Sequence, residues 1–251
     1  MTTSRTIRRR TLAAVGAMAA TTVIGGHHPR AWAAGGTGTA SELAVPGPGE
    51  TLAFPAATTF RLECPAEIRL ELGDGHRLSI DAEPAVRRRT RITARDGVLS
   101  LSVSGSFQTD RPIVIRIVAQ RVTEIELGQG ARLSAGPIGP GRLQLSLHDD
   151  ASTVLERLNL SQLRIDSMDN GEVVATGRAD QLELRTAGAS RFDGTGLTAE
   201  RASVVAGDAA EVLVRAQRSL DAAVRDAATV RYLGDPSIRR QVDDAASLER
   251  G

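Results

Sequence analysis

The sequence predicts an all-β fold, a parallel β-helix (β-solenoid) with coils of about 18–21 residues. Three observations predict it. Apolar residues alternate with polar ones at period two along most of the chain, the signature of half-buried strands. In the C-terminal half the alternating runs return at a fixed interval, each followed by a turn of small residues, which is the signature of stacked repeats. Aromatic residues make up only 2% of 251 residues, and a thin stack of coils has little room for rings.

The first 33 residues read as an export signal rather than as fold. Arg5, Arg8, Arg9 and Arg10 form a basic start, Thr11–Ile24 is a mildly apolar run, and Ala31-Trp32-Ala33 is a small-x-small cleavage site. The residues Arg9, Arg10 and Leu12 match the twin-arginine pattern, with Ala31 and Ala33 flanking the cut. The apolar run is too short and too rich in Gly and Ala to span a membrane, and no later segment exceeds ten consecutive apolar residues. The expected location is therefore the periplasm, or the medium or cell surface, after cleavage. Removing the segment takes five Arg and no acid. The remaining chain holds 26 bases against 30 acids, so a precursor of net charge +1 becomes a mature form of −4. A mildly acidic exported chain is a poor nucleic-acid binder.

Residues 34–57, rich in Gly, Pro, Thr and Ala, read as a flexible lead-in, and residues 58–251 as one solenoid. Ile68, Leu70 and Leu72 alternate with charges. Leu78 and Ile80 follow the turn Gly73-Asp74-Gly75. Leu99, Leu101 and Val103 alternate, then Ile113, Ile115 and Ile117. Beyond them, strands begin at Ile125, Leu143, Leu163, Leu182, Ala202, Leu220 and Ile238. The turns fall at Gly130, Asp150-Ala151, Asn170-Gly171, Gly188-Ala189, Asp208-Ala209, Asp226-Ala227 and Asp244-Ala245. A second inward position follows at Leu133, Val154, Val174, Phe192, Val212, Val230 and Leu248. A β-sandwich also spaces its strands closely, but it does not need one turn signature seven times over.

The stretch Leu220–Gly251, containing Asp226-Ala-Ala-Thr-Val-Arg and the step Tyr232-x-Gly234-x-Pro236, resembles the end of the head GIN domain family of auto-transporter adhesin heads. Gly73-Asp74-Gly75 and Asp96-Gly97-Val98-Leu99 sit where that family has its opening strands. The resemblance covers about Thr58–Gly251. It implies a right-handed β-helix in a bacterial envelope protein and no catalytic residues. The family's Ser-Gly turns are here mostly Asp-Ala.

Composition excludes several chemistries. All 31 basic residues are Arg, so no Schiff-base or P-loop lysine exists. The single Cys64 allows no internal disulfide and reads as a small buried hydrophobe. His76 and His148 are the only histidines outside the leader and read as solvated turn residues, too few for a three-histidine zinc site. Neither accompanies a nucleophile elbow. No catalytic, cofactor or metal residue is assigned, and the chain reads as a non-enzymatic envelope or surface binding module. The alternatives are a polysaccharide lyase or hydrolase on a β-helix, or a self-assembling structural envelope protein. The acidic pairs Asp149-Asp150 and Asp243-Asp244 fall at turns, where Asp caps backbone N–H groups. Asp208, Asp226 and Asp244 stack in successive coils, about 5 Å apart. Their repulsion needs an offset: turn N–H groups, Arg225, or a weakly bound divalent cation. Arg87, Arg88, Arg89 and Arg91 form the one basic run, either a solvated loop or a docking patch for an anionic envelope polymer. Arg191, Arg215, Arg218, Arg225 and Arg231 are candidate rim contacts on outer positions of successive coils.

Overall fold

A computed structural model describes residues 41–251. The export residues Arg9, Arg10, Leu12, Ala31 and Ala33 lie outside the described residues. The strands are, in order, β1 (Ser41–Leu43), β2 (Leu52–Ala53), β3 (Thr59–Glu63), β4 (Glu67–Leu72) and β5 (Arg77–Asp81). A one-turn helix α1 (Pro84–Arg87) precedes β6 (Thr90–Arg95), β7 (Val98–Val103), β8 (Val114–Ala119) and β9 (Glu124–Gly128). Then follow β10 (Arg132–Ala135), β11 (Arg142–Leu147), β12 (Ser152–Ser167), β13 (Glu172–Thr186), β14 (Arg191–Ala206) and β15 (Glu211–Val224). The last three are β16 (Thr229–Leu233), β17 (Ser237–Val242) and β18 (Ser247–Arg250).

These strands wind into a β-solenoid of about six turns. The front face runs β1-β6-β7-β3-β9-β11, then the second halves of β12 to β15, then β17. The back face runs β2-β5-β8-β4-β10, then the first halves of β12 to β15, then β16 and β18. Both faces are parallel from β3 and β4 onward. Alternation sends every second side chain inward, where like stacks on like. One inner column reads Leu99, Phe60, Ile125, Leu145, Ile165, Leu184, Val204 and Ala222, each 0–1% exposed. Burying each Leu or Ile there contributes roughly 1.5–3 kcal/mol against leaving it exposed. The same column ends at Arg240, which is exposed.

The N-terminal part departs from a sequential coil. β3 and β4 come first in the chain, yet they lie between the coil of β7 and β8 and the coil of β9 and β10. β5 and β6 pair antiparallel on the outside of β8 and β7, and β2 and β1 pair antiparallel on them in turn. From Ser41 onward the lead-in pairs with the fold through β1 and β2. Phe54 lies in the core at 7% exposed and meets Phe60 edge-on at 6.5 Å. The sequence hides these partners, because alternation shows which face is buried but not which strand pairs with which.

The register also corrects two turns. Ser152 pairs with Glu172, Glu172 with Arg191, and Arg191 with Glu211. The left-handed turn position three residues earlier is therefore Asp149 and Asp169, not Asp150 and Asn170. Gln129, Asp149, Asp169, Gly188, Asp208 and Asp226 all occupy it, at φ 53°, 57°, 61°, 73°, 57° and 60°, a region Asp and Asn tolerate better than most residues. Consequently Thr153 and Val173, rather than Val154 and Val174, stack with Phe192. Val154 points outward at 40% exposed, and Thr153 is buried with its hydroxyl unpaired. The sequence frame slipped because Val154 and Val174 are apolar and Thr153 is not, although a β-branched Thr fills the same volume.

Candidate functional site: the arginine-bearing outer surface

The basic run sits on α1 and the start of β6. Pro84 opens the helix, where its missing N–H is not needed. Val86, 0% exposed, plugs the end of the core and so turns Arg88 and Arg89 outward. β6 then carries Arg91 on its outer side. The Ser104 N–H donates to the Arg89 carbonyl at 3.1 Å, fastening the end of β7 to the run. Arg88, Arg89 and Arg91 thus line one groove of about 280 Å³ with Thr90, Ser102, Ser104 and Glu42. Arg91 meets Glu42 at 3.4 Å, both side chains being largely exposed. Such an exposed pair is worth little, about 0–1 kcal/mol, and opens readily. Arg87 does not join this group: its Nε is buried and unpaired.

The rim arginines behave differently. Arg191 closes a 2.9 Å ion pair with Glu211 directly opposite on the next coil. Arg218 meets Glu200 at 2.7 Å, and Arg231 meets Glu249 at 3.8 Å. Arg215 donates to the Thr195 carbonyl at 3.0 Å. Only Arg225 of that set stands exposed without such a partner. Coil stacking places complementary charges one strand spacing apart, so these side chains knit neighbouring coils together.

The turn carboxylates form a ladder. Asp149 accepts from the Gln129 N–H at 3.1 Å, Asp169 from the Asp149 N–H at 3.3 Å, Asp208 from the Gly188 N–H at 2.9 Å and Asp226 from the Asp208 N–H at 3.3 Å. At Gln129, Asp149, Gly188 and Asp208 the left-handed turn exposes an N–H that the next coil's carboxylate satisfies. Gly188 interrupts the ladder for want of a side chain. Turn N–H groups therefore offset the stacked negative charge. Among the described residues, no three His, Cys, Asp or Glu side chains gather as metal ligands would.

The histidines are less solvated than their turns imply. His76 meets the Phe54 ring at 5.5 Å, and its Nδ1 is buried. His148 lies over Gly128, where any Cβ would strike the imidazole. Cys64 is fully buried, and burial first, then the charge of Glu63, pushes its thiol from the ordinary 9.0 up to about 12. It is a packed hydrophobe rather than a nucleophile. Among the described residues no helix is long and apolar enough to cross a membrane.

A parallel stack of coils with charged outer faces and shallow grooves defines the class: a β-solenoid. The chain belongs to the family described as "Putative auto-transporter adhesin, head GIN domain", whose model matches residues 58–236. The match ends at the Tyr-x-Gly-x-Pro step. There Gly234 has φ 102°, and a Cβ on it would strike the Ala216 carbonyl, so the step requires glycine. Solved structures share the fold. A "putative adhesin" from Bacteroides fragilis is 16% identical with a TM-score of 0.73, covering 80% of this chain and 95% of its own. A "putative lipid binding protein" from Parabacteroides distasonis is 15% identical with a TM-score of 0.62, covering 80% and 96%. A "putative adhesin" from Parabacteroides merdae is 14% identical with a TM-score of 0.61, covering 86% and 98%. No curated protein matches the chain.

Proposed function

We propose that the protein is an exported, non-enzymatic adhesin-like module that docks on an anionic envelope polymer through the groove of Arg88, Arg89 and Arg91. The observation that supports this is that three exposed arginines, Arg88, Arg89 and Arg91, line one concavity together with Ser102 and Ser104, against a single acidic neighbour, Glu42. Arginine offers a planar fork of donors suited to carboxylate and phosphate oxygens. Serine hydroxyls add adaptable donors beside it. Family membership and the adhesin descriptions of the structural neighbours favour a surface role over catalysis. A net charge of −4 for the chain without its leader makes a local basic groove the natural place for an anionic partner.

The test is retention on isolated cell envelopes. Arg88→Ser, Arg89→Ser and Arg91→Ser together are expected to reduce retention and to flatten its salt dependence, while the melting temperature stays within a few degrees. Arg87 is left intact because its Nε is buried. Unchanged retention sinks the docking role of the groove.

A further inference from the structure

The back face carries a second group of outward arginines that the basic run does not announce. Arg69 on β4 and Arg116 on β8 lie directly opposite one another across a parallel pair. Strand spacing holds them about 4.8 Å apart at the backbone, and like charges placed so are destabilising unless something offsets them. Ser79 on β5 continues the same outer row beyond Arg116, and Ser134 on β10 continues it beyond Arg69. Arg132, two residues before Ser134, points to the same side.

Arg69, Arg116 and Arg132 are all exposed, and none forms an ion pair or hydrogen bond among the described residues. Glu67 stands directly opposite Arg132 and still does not close on it. Later coils close the same geometry, as Arg191 and Glu211 do at 2.9 Å. Beside the row lies a depression of about 390 Å³, where Ser134 and Ser152 leave room between Arg69, Arg132, Glu67 and Glu172.

We infer that this row is a second binding site, for an acidic polysaccharide of the uronate type. The reason is its mixed lining. Two guanidinium groups face one another and receive a carboxylate between them. Glu67 and Glu172 flank the depression and repel a densely charged chain such as polyphosphate. They accept hydrogen bonds from the hydroxyls of a sparsely charged sugar chain, and Ser134 and Ser152 donate and accept alongside them. The site is on the opposite face from the groove of Arg88, Arg89 and Arg91 and stands independently of that groove's role.

The experiment is calorimetric titration of the protein with purified oligogalacturonate, inorganic polyphosphate and neutral dextran. Oligogalacturonate is expected to bind. The double variant Arg69→Gln/Arg116→Gln is expected to weaken that binding about tenfold or more, and Arg191→Gln/Arg218→Gln, which removes two arginines already paired with Glu211 and Glu200, to leave it unchanged. The Arg69→Gln/Arg116→Gln variant is expected to melt no lower than the parent, since it removes a like-charge pair. No binding of oligogalacturonate, equal binding by the variant, or equal binding of dextran overturns the site. Tighter binding of polyphosphate with the same dependence on Arg69 and Arg116 overturns the uronate class. Weakening by Arg88→Gln/Arg89→Gln alone places the binding in the other groove and overturns it as well.

Discussion

The region from β1 to β9 and the coils from β10 to β18 share inner columns but use their surfaces differently. In the later coils, stacking is sequential and each strand meets its repeat 17–20 residues on. Several arginines there find partners one coil away: Arg164 with Glu183, Arg178 with Asn159, Arg239 with Asp221. In the earlier region the chain doubles back, and β5, β6, β2 and β1 close the end of the stack antiparallel. Breaking the repeat breaks the charge complementarity that comes with it. Arg69 then faces Arg116, and Arg88, Arg89 and Arg91 crowd one groove. The later coils are zipped at these positions, while Arg132, Arg142, Arg185, Arg201 and Arg225 there stay exposed without an ion pair among the described residues, and the earlier region crowds its outward arginines together.

The ends differ too. β17 and β18 each pair on one side only, and Ile238 and Val242 are 39% and 36% exposed. Arg240 and Arg250 occupy inner-column positions below Ala222 and Tyr232. Charges on inward positions discourage a further coil from stacking on this edge.

Four outcomes sharpen the contrast. The largest effect is expected within one column: Phe60→Ala opens a cavity and costs about 3–5 kcal/mol, whereas Arg240→Ala changes stability by no more than about 0.5 kcal/mol. Chemical denaturation of both measures this, and equal losses would merge the two regions. Next comes pH. With the folded Cys64 thiol raised to about 12 from 9.0, its contribution is complete below pH 9 and is lost as pH rises towards 12. Melting of the parent should therefore fall more steeply over that range than melting of Cys64→Ala. A smaller effect, of opposite sign, is expected at Thr153→Val: a buried hydroxyl without a partner gives way to a methyl, stabilising by up to about 1 kcal/mol. Smallest is Arg191→Gln, which removes an exposed ion pair and costs about 0.2–1 kcal/mol.

The columns of the later coils were readable in the sequence because small turn residues recur at one interval, and so was the family, through Tyr232, Gly234 and Pro236. The frame failed where a polar residue took an inward place, at Thr153, and where apolar ones took outward places, at Val154 and Val174. The insertion of β3 and β4 between later strands left no local trace, because each strand's alternation is the same whichever neighbour it pairs with. The basic run was visible as a run. Its grouping with Ser102, Ser104 and Glu42 was not, since those residues arrive from other strands. The Arg69–Arg116 pair had no sequence signal, as 47 positions separate two ordinary outward arginines.

The central claim is that the irregular N-terminal region, not the zipped coils, carries recognition. Removing equal charge from each region tests it most directly, with retention on isolated envelopes as the readout. The account predicts that Arg88→Ser/Arg89→Ser/Arg91→Ser lowers retention and that Arg191→Ser/Arg218→Ser/Arg231→Ser leaves it near the parent level. Equal losses from the two triple variants, or loss from the second alone, would contradict it.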